Sequence, residues 1–257
     1  MKCCSVNAST PVPAFRMGRI FQEVQTFCSQ IETFALCKSS QRFLQVLESM
    51  VPEPAREAVQ ALNQPESVGV GLQALEGFDP IVAAQVRSML FHMCTPTVCS
   101  IGSVVNILSA SGKIVFDVRI VPGTTEAEFS KIVDTAADAL QTSLGFDIGL
   151  EMRRWTGGYE IDIEDPFFQH CVESLSNSWG SRYENAEVAP FLLPASSDSS
   201  HFASVGFHPV GFSPLLFPPD FPGFALAHAP NERVPVTAFE EGLRLYIRTL
   251  GSYLSTL

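Results

Sequence analysis

Two β-branched runs, at positions 101–109 and 113–121, limit the architectures that are open to this chain. A short segment that ends in Gly112 joins them, and such a composition predicts a β-hairpin. Along the second run apolar and polar side chains alternate, which places them on opposite faces of a strand. The apolar set is Ile114, Phe116, Val118 and Ile120, and the polar set contains Asp117 and Arg119. We expect one face of this hairpin to lie on a core and the other in solvent.

A helix and a further strand follow the hairpin. Thr125 and Glu128 have the spacing of a capping box ahead of an apolar helical stripe, and the helix is expected to end near Gly145. Positions 147–155 then predict another strand. Strand, strand, helix, strand is the order of a small sandwich in which helices cover one face of a sheet.

The residues before the hairpin predict helices. Apolar side chains recur at steps of three and four over positions 14–36, which indicates an amphipathic helix. A second helical stretch, at 40–62, is interrupted by Pro52 and Pro54. Because a proline ring removes a donor and blocks the preceding turn, this stretch predicts two short helices.

Several classes of function are excluded by simple features. Gly69, Gly71 and Gly77 predict a loop, but they lack the GxGxxG or GxxxxGK order that cradles phosphate. A formal charge of -11 disfavours nucleic acid and anionic lipid as partners. The chain has no apolar run of the ~18 to 20 residues that a membrane span needs, and its N-terminus lacks the apolar core of a signal peptide. We therefore expect a cytoplasmic protein.

The seven cysteines predict reduced thiols rather than disulfides. Their number is odd and their spacing matches no disulfide framework. His92, Cys94 and Cys99 could be proposed as a metal-binding knuckle, but the spacing fits no zinc template and lacks a second pair. Packed thiols are the interpretation that we adopt.

Three carboxylates mark a change of pattern after Gly158. Glu160, Asp162 and Glu164 alternate with isoleucines over positions 159–165, which predicts a strand with the carboxylates on one face. Carboxylates that share a face without a cation repel one another. A solvated strand edge is therefore favoured over a metal site.

Two further helices are indicated by their caps. Asp165 is expected to cap a helix that starts at Pro166 and stops at Gly180. Thr237 and Glu240 predict a second capping box, which would open the final helix after Pro235.

The stretch at positions 190–235 is too apolar and too rich in proline and glycine to be a solvated linker. It places Asp198, His201, His208 and His228 among turns. Loops on a rigid scaffold often carry functional groups, and histidine is the commonest metal ligand among side chains. This stretch is therefore the first place to look for a site.

The same stretch carries a family resemblance. The segment LLPASSDSSHFASVGFHPVGFSPLLFPPDF, followed by HAPNERVP, resembles the C-terminal fingerprint of metallopeptidase family twenty, the zinc-dependent amidohydrolases and exopeptidases. The segment TPTVCSIGSVVNILSASGKIVFDVRIVPG resembles the dimerisation, or lid, domain of that family. The resemblance implies an α/β fold: an α+β lid with a ferredoxin-like sandwich over residues 1–158, and the C-terminal part of an α/β zinc-peptidase catalytic domain over residues 159–257.

The resemblance also implies roles for individual residues. His228 falls on the position of a family metal ligand. Asn106 matches an asparagine that reaches substrate, often in the partner subunit, and Arg119 matches an arginine near the substrate carboxylate. Without the resemblance, Asn106 and Arg119 would be interpreted as ordinary polar strand residues.

The pocket loop of the family, G-G-T-D-x-R/K-x-F, is altered in this chain. The tetrapeptide at positions 195–198, Ala-Ser-Ser-Asp, stands in place of its G-G-T-D, and Ser197 and Asp198 are implied to contact substrate. Ser200 stands where family members often carry a basic side chain for a substrate carboxylate. The loss of that cation removes a charge-assisted hydrogen bond of roughly 1.5 to 3 kcal/mol.

Zinc is implied by the resemblance, but we do not expect this chain to retain it. Metal-assisted amide hydrolysis needs about three protein ligands on a zinc, or two metals ~3.5 to 4 Å apart, and a carboxylate base. The family supplies most of these from an N-terminal half that this chain lacks. Glu240 and Glu241 are an adjacent pair but belong to the final helix. His228 is then the only implied metal ligand, and no catalytic residue is assigned.

The leading prediction is an incomplete zinc-dependent metallopeptidase or amidohydrolase-like protein. Its family reaction is hydrolysis of amide bonds in N-acyl amino acids or small peptides, and we expect this chain alone to be inactive. The alternative is a non-enzymatic interaction protein that uses the lid to form a homodimer, or a heterodimer with a complete relative. A third interpretation is a truncated gene product whose remnant sheet exposes apolar surface.

Overall fold

The computed structural model describes residues 2–8, 17–102, 112–145, 147–152, 154–179, 187–218 and 221–257. The chain divides into two compact units. Unit 1 comprises Met1–Glu160 and Phe191–Val205, and unit 2 comprises Ile161–Pro190 and Gly206–Leu257. In chain order the elements are β1 (Lys2–Ala8), α1 (Met17–Ile31), α2 (Lys38–Met50), α3 (Glu53–Ala61), α4 (Val68–Phe78), α5 (Pro80–Leu90), β2 (Met93–Ile101), β3 (Gly112–Arg119), α6 (Glu126–Leu144), β4 (Ile148–Met152), α7 (Pro166–Trp179), α8 (Ser199–Ser204) and α9 (Val236–Leu254).

Unit 1 contains a four-stranded antiparallel sheet of order β2-β3-β1-β4. With α1 and α6, its strands follow the β-α-β-β-α-β order of a ferredoxin-like sandwich. The predicted α/β class is therefore confirmed.

The predicted hairpin is present in shifted form. β2 pairs with β3, but β2 begins at Met93 and ends at Ile101, and positions 103–111 lie outside the described residues. β1 was not predicted, although it is a central strand that pairs with both β3 and β4.

The core of the sandwich lies between the sheet and the two helices α1 and α6. Phe27, Phe116 and Phe129 are almost completely buried there, and the rings of Phe27 and Phe116 are 5.2 Å apart. Val115, on the opposite face of β3, is also buried, so that face is not open to solvent along its whole length. The predicted alternation is thus correct for the core face and only partly correct for the other.

The capping box predicted for α6 is formed. The hydroxyl of Thr125 accepts a hydrogen bond from the backbone N–H of Glu128, and the Glu128 carboxylate accepts one from the backbone N–H of Thr125. Gly145 ends the helix in a left-handed conformation with φ of 72°. These local signals place α6 correctly because they act within a few residues of each end.

Helices α2 to α5 form an insertion between α1 and β2 and pack around a core of their own. The interruption predicted at Pro52 separates α2 from α3. The predicted loop at Gly69, Gly71 and Gly77 is wrong, because all three glycines lie inside α4. A Cβ on Gly71 would lie 2.6 Å from the carbonyl oxygen of Ala58, so this glycine allows close contact with α3.

The strand predicted at positions 159–165 is also wrong, because no strand is assigned there. Two carboxylates of this segment accept hydrogen bonds from backbone N–H groups. The Glu160 carboxylate accepts a hydrogen bond from the backbone N–H of Ser39, and Asp162 Oδ1 accepts one from the backbone N–H of Glu164 (3.1 Å). Two of the three carboxylates are thus hydrogen-bonded to backbone.

Unit 2 is built on α7 and α9 with a 3-10 helix at Gly223–Leu226. Asp165 caps α7 as predicted, since its carboxylate accepts from the backbone N–H groups of Phe167 (2.9 Å) and Phe168 (3.1 Å). The capping box predicted for α9 is wrong: the N-cap is Pro235, and Thr237 lies within the first turn. Among the described residues, no helix combines the length and the apolar character that a membrane crossing requires.

Candidate functional site

The predicted site residues lie in separate parts of the chain. Arg119 is the last residue of β3, and Asp198 precedes α8, so both belong to unit 1. His228 follows the 3-10 helix of unit 2. Asn106 lies outside the described residues. Each part is therefore characterised by its own contacts.

Arg119 is already paired with a carboxylate of its own strand. Its Nη2 lies 3.0 Å from Oδ2 of Asp117, two residues earlier on the same face of β3. The Asp117 side chain is 16% exposed, and its Oδ1 is buried without a hydrogen-bond partner among the described residues. A substrate carboxylate at Arg119 would have to compete with this ion pair.

The altered pocket loop forms the entry to α8. The carbonyl oxygen of Asp198 accepts from the backbone N–H groups of His201 (3.0 Å) and Phe202 (3.1 Å), while its carboxylate makes no capping bond. The Ser200 hydroxyl donates to the carbonyl oxygen of Ser197 (3.4 Å). Ser197 and Asp198 are exposed, so the loop presents a hydroxyl and a carboxylate to solvent.

A cation that the sequence did not single out lies beside this loop. Nη2 of Arg154 is 3.3 Å from Nε2 of His201. Because a guanidinium only donates hydrogen bonds, Nε2 of His201 is the acceptor in this contact. The two residues are 47 positions apart, and no local pattern in the sequence signals the pair. Arg154 thus supplies positive charge near the loop that contains Ser200.

His228 lies in an exposed turn of unit 2. The backbone N–H of Ala229 donates to the carbonyl oxygen of Leu226 (3.0 Å), and that of Glu232 donates to Ala229 (3.1 Å). His228 has a φ of 63° and is the only non-glycine residue with positive φ in the described ranges. Such a conformation costs about 1 to 2 kcal/mol for a residue with a Cβ. The surrounding turn therefore holds His228 in a backbone conformation that is unfavourable for a non-glycine residue.

His92 is a core residue. Its side chain is 2% exposed, Nδ1 accepts a hydrogen bond from the backbone N–H of Val121 (3.2 Å), and the ring packs edge-on against Phe129. Nearby Cys94 is buried, whereas Cys99 is exposed. The structure thus gives His92 a packing role.

Two more histidines make contacts within unit 2. Nε2 of His170 lies 3.1 Å from the carbonyl oxygen of Thr249 and 2.9 Å from Oγ of Ser252, which ties α7 to α9. Nδ1 of His208 lies 3.5 Å from Oδ2 of Asp165, the residue that caps α7. Both histidines have structural partners.

The described residues do not fit the zinc ion that the family resemblance implies. A zinc site needs three or four side-chain ligands within about 2.3 Å of the metal. In the ranges that the structure describes, no three His, Cys, Asp or Glu side chains come together as a group that could hold a metal ion. No chemical step through zinc is therefore derived for this chain.

Three buried thiols lack the environment of a nucleophile. A hydrogen bond with the Cys94 thiol lowers the pKa of Cys28 against the opposing effect of burial, but Cys28 is buried in the sandwich core. Burial raises the pKa of Cys37, and it raises the pKa of Cys171 to about 11. Reactive thiols combine a low pKa with access, and none of these three does.

Comparison with known proteins finds one related sequence and several distant folds. No protein-family model matches the chain. Aminoacylase-1A of Rattus norvegicus is 25% identical over 156 residues, which cover 60% of this chain and 35% of that protein. The chain thus matches about a third of the length of this curated relative.

Three solved structures align with less than half of their own length. An M20 family metallo-carboxypeptidase from Sulfolobus solfataricus gives a TM-score of 0.45 at 10% identity, covering 80% of this chain and 48% of that one. A di-peptidase from Saccharomyces cerevisiae gives 0.46 at 12%, with coverages of 78% and 44%. Human carnosine dipeptidase 1 gives 0.44 at 8%, with coverages of 79% and 45%.

Proposed function

We propose that the chain is related to the M20 metallopeptidases and derives from an enzyme that hydrolyses amide bonds in N-acyl amino acids or small peptides; its similarity to aminoacylase-1A supports this. We further propose that the chain does not perform this reaction alone. The observation that carries the proposal is the small number of potential zinc ligands. His228 is the sole residue placed by resemblance on a metal-ligand position, and no group of three potential ligands forms among the described residues. One imidazole does not hold zinc strongly.

The family resemblance gives each of these residues a proposed task of its own. His228 would contribute one imidazole ligand, and its left-handed backbone fits a position that function rather than local stability has fixed. Arg119, Ser197, Asp198 and Ser200 would contact substrate. Asn106 is proposed to do the same.

The test is turnover of N-acetyl amino acids and dipeptides by tag-free protein with added zinc. We expect no hydrolysis above that of a His228→Ala control. Zinc-dependent turnover that is lost in His228→Ala would overturn the proposal, because it would mean that other residues have rebuilt the site.

An exposed sheet edge favours a second candidate function, pairing with a homologous chain. β2 is an edge strand, and its residues from Thr95 to Ile101 are all exposed. Pro96 lacks a backbone N–H and a register shift separates Pro96 from Val98, so the open part of the edge starts at Val98. Unpaired backbone groups on such an edge can accept a strand from another chain. The partner would be a second copy or a complete relative.

Sedimentation velocity at tens of micromolar tests this pairing. We expect an associating species that weakens in Val98→Lys, since a lysine placed on the edge disfavours strand addition. A chain that sediments as a monomer at all these concentrations would exclude homodimerisation through β2.

We also propose a cytoplasmic location. The described cysteines whose state is assigned are free thiols: Cys28, Cys37, Cys94, Cys99 and Cys171. Free thiols fit a reducing compartment. Recovery of the protein from a secreted fraction with a disulfide would contradict this.

A further inference from the structure

A narrow neck joins the insertion of helices α2 to α5 to the sandwich of unit 1. We use this name for residues 32–37, which lead from α1 into the insertion, and residues 91–92, which lead from it into β2. The two segments run antiparallel and form an isolated β-bridge between Phe34 and Phe91, whose rings pack edge-on with centroids 5.8 Å apart. The neck is thus the covalent connection between the insertion and the sandwich.

Two backbone hydrogen bonds flank the bridge in the neck. The backbone N–H of Ala35 donates to the carbonyl oxygen of Leu90 (2.8 Å), and the backbone N–H of His92 donates to that of Thr33 (3.1 Å). Both amide protons lie in hydrogen bonds that hold the two segments together. Their exchange with solvent therefore reports on the opening of the neck.

Two cysteines lie side by side directly below the neck. Ile31 ends α1 three residues before Phe34. Cys94 follows Phe91 by three residues, so the antiparallel register brings it to the level of Ile31. Cys28 is one helical turn before Ile31, on the same face of α1. Cys28 and Cys94 are 8% and 4% exposed in one core cluster, and their thiols hydrogen-bond to each other.

These two thiols bracket the insertion in the chain. Cys28 precedes α2 and Cys94 follows α5, so a bond between them would close residues 28–94 into a loop that contains the four helices. A cross-link restricts the opened chain, and the restriction grows with the length of the loop that it closes. Since the thiols are already in contact, the link needs only a small movement of the two side chains.

We propose that Cys28 and Cys94 form a disulfide when the chain meets an oxidant, and that this bond locks the neck of the insertion. The reduced chain holds the neck through non-covalent contacts, and the oxidised chain holds it covalently as well. The pair thus acts as a redox switch on the opening of the insertion. This switch is independent of the amide-bond chemistry proposed above.

The oxidant of this reaction is an oxidised low-molecular-weight thiol, such as glutathione disulfide. The Cys28 thiolate attacks one sulfur of the reagent, forms a mixed disulfide and releases the first reduced thiol. Cys94 then loses its proton, attacks the Cys28 sulfur and releases the second reduced thiol. The two cysteines lose two electrons, which the reagent takes up. Cys28 reacts first because the hydrogen bond with the Cys94 thiol lowers the pKa of Cys28.

The reaction depends on transient opening of the neck. Both thiols are buried in the closed fold, so the oxidant does not reach them there. Opening exposes Cys28 to the oxidant, and reclosure brings Cys94 back against it. A low concentration of urea favours the opened state and is therefore expected to speed disulfide formation.

The first experiment locates the disulfide in a full chain carrying Cys99→Ala, which removes the exposed thiol of β2. The chain is incubated with glutathione disulfide in a low concentration of urea and is then digested after glutamate without reduction. The fragment 24–32 has Cys28 as its sole cysteine, and the fragment 77–126 then has Cys94. Mass spectrometry is expected to find these two fragments linked, and to find them apart after treatment with dithiothreitol.

The second experiment measures hydrogen exchange at the amides of Ala35 and His92 in the reduced and the oxidised form of the same chain. Disulfide formation is expected to slow exchange at both amides by roughly tenfold or more, because the neck no longer separates. Amides of α9 in unit 2 are expected to exchange at the same rate in both forms. Dithiothreitol is expected to restore fast exchange, and the oxidant is expected to leave exchange in Cys28→Ala unchanged.

Three results would overturn the proposal. The first is the absence of a linked pair of Cys28 and Cys94 at urea concentrations that open the neck. The second is slowed exchange on oxidation that persists in Cys28→Ala. The third is a linked pair whose formation leaves exchange at Ala35 and His92 unchanged. The comparison of oxidised and re-reduced protein keeps both core cysteines, so it decides the matter even if Cys28→Ala is destabilised.

Discussion

Unit 1 and unit 2 bury apolar side chains in different ways. Unit 1 has two clusters of buried residues: Phe27, Phe116 and Phe129 belong to one, and Leu62 and Leu75 belong to the other. In the described part of unit 2 the buried apolar residues are Cys171, Ala238, Leu245 and the prolines Pro190 and Pro214. Both units contain a close backbone approach at a glycine: a Cβ on Gly242 of unit 2 would lie 2.6 Å from the carbonyl oxygen of Pro214, as a Cβ on Gly71 of unit 1 would from that of Ala58.

The difference shows where each unit obtains its stability. Burial of large apolar side chains contributes roughly 1.5 to 3 kcal/mol for each residue, and unit 1 has many of them. Unit 2 leaves several of its large apolar residues exposed on α9. A unit with a small interior and an apolar exterior gains more from a partner than a unit with a filled core.

The largest expected effect comes from removing a core ring of unit 1. Phe116→Ala leaves a cavity beside Phe27 and is expected to lower the free energy of unfolding by about 3 to 5 kcal/mol. Phe239→Ala in unit 2 removes a ring that is 58% exposed and is expected to cost less than about 0.5 kcal/mol in the monomer. Urea unfolding measures the change in the free energy of unfolding for both variants. If Phe116→Ala and Phe239→Ala lose similar amounts, the two units do not differ in how much their large apolar side chains contribute to stability.

The close approach in unit 2 is tested by two glycines of one helix. Gly242→Ala is expected to destabilise by about 1 to 3 kcal/mol, because the new methyl group meets the Pro214 backbone. Gly251→Ala has no heavy atom within 4 Å of the new Cβ and is expected to stabilise by about 0.5 to 1 kcal/mol. The midpoints of thermal unfolding of Gly242→Ala and Gly251→Ala test this expectation. If Gly242→Ala unfolds at the same temperature as the wild type, α9 does not lie close to Pro214.

The alkaline stability of unit 2 should depend on Cys171. Burial raises the pKa of this thiol from 9.0 to about 11, and Asp165 adds to the shift. Because the folded pKa is raised, the contribution is fully present below pH 9 and is lost as the pH rises towards 11. The loss amounts to about 2 kcal/mol.

Chemical unfolding at pH 8 and pH 11 compares the wild type with Cys171→Ala. Lysines and tyrosines titrate in the same range, so the measured quantity is the difference between the two proteins. An equal loss of stability in both would show that the Cys171 thiol is not protected by burial.

The smallest effect concerns the cap of α6 in unit 1. Thr125→Ala is expected to cost about 1 kcal/mol. The backbone N–H of Thr125 and, to a smaller extent, its hydroxyl donate hydrogen bonds to the Glu128 carboxylate and lower its pKa. Because the folded pKa is lowered, the stabilising contribution of Glu128 is present above pH 4.5 and declines as the pH falls below that value. Glu128→Gln should remove that acid dependence. If the free energy of unfolding of Glu128→Gln depends on pH below 4.5 in the same way as that of the wild type, the titration of Glu128 does not contribute to the stability of the cap.

Elements with local signals were predictable from the sequence. The capping box of α6 depends on Thr125 and Glu128, three residues apart, and the alternation along β3 is equally local. β1 was missed because its partner is far away in the chain: Lys2 pairs with Val118. Gly71 was misassigned because glycine is typical of loops, whereas here the missing Cβ serves a helix contact.

The site was predictable only in part, and for a related reason. Family resemblance placed His228, but its left-handed backbone and its exposure depend on a turn that the sequence does not specify. The contact between Arg154 and His201 joins residues 47 positions apart and has no sequence pattern. Arg119 was predicted as a substrate contact, and its pairing with Asp117 emerged only from the side-chain positions.

The most direct test of the central claim is the number of zinc ions per chain, measured by elemental analysis of tag-free protein dialysed against micromolar zinc. The account predicts substoichiometric zinc that is the same in the wild type and in His228→Ala. One to two equivalents that are lost in His228→Ala would contradict it, and the chain would then have to be treated as a metalloenzyme.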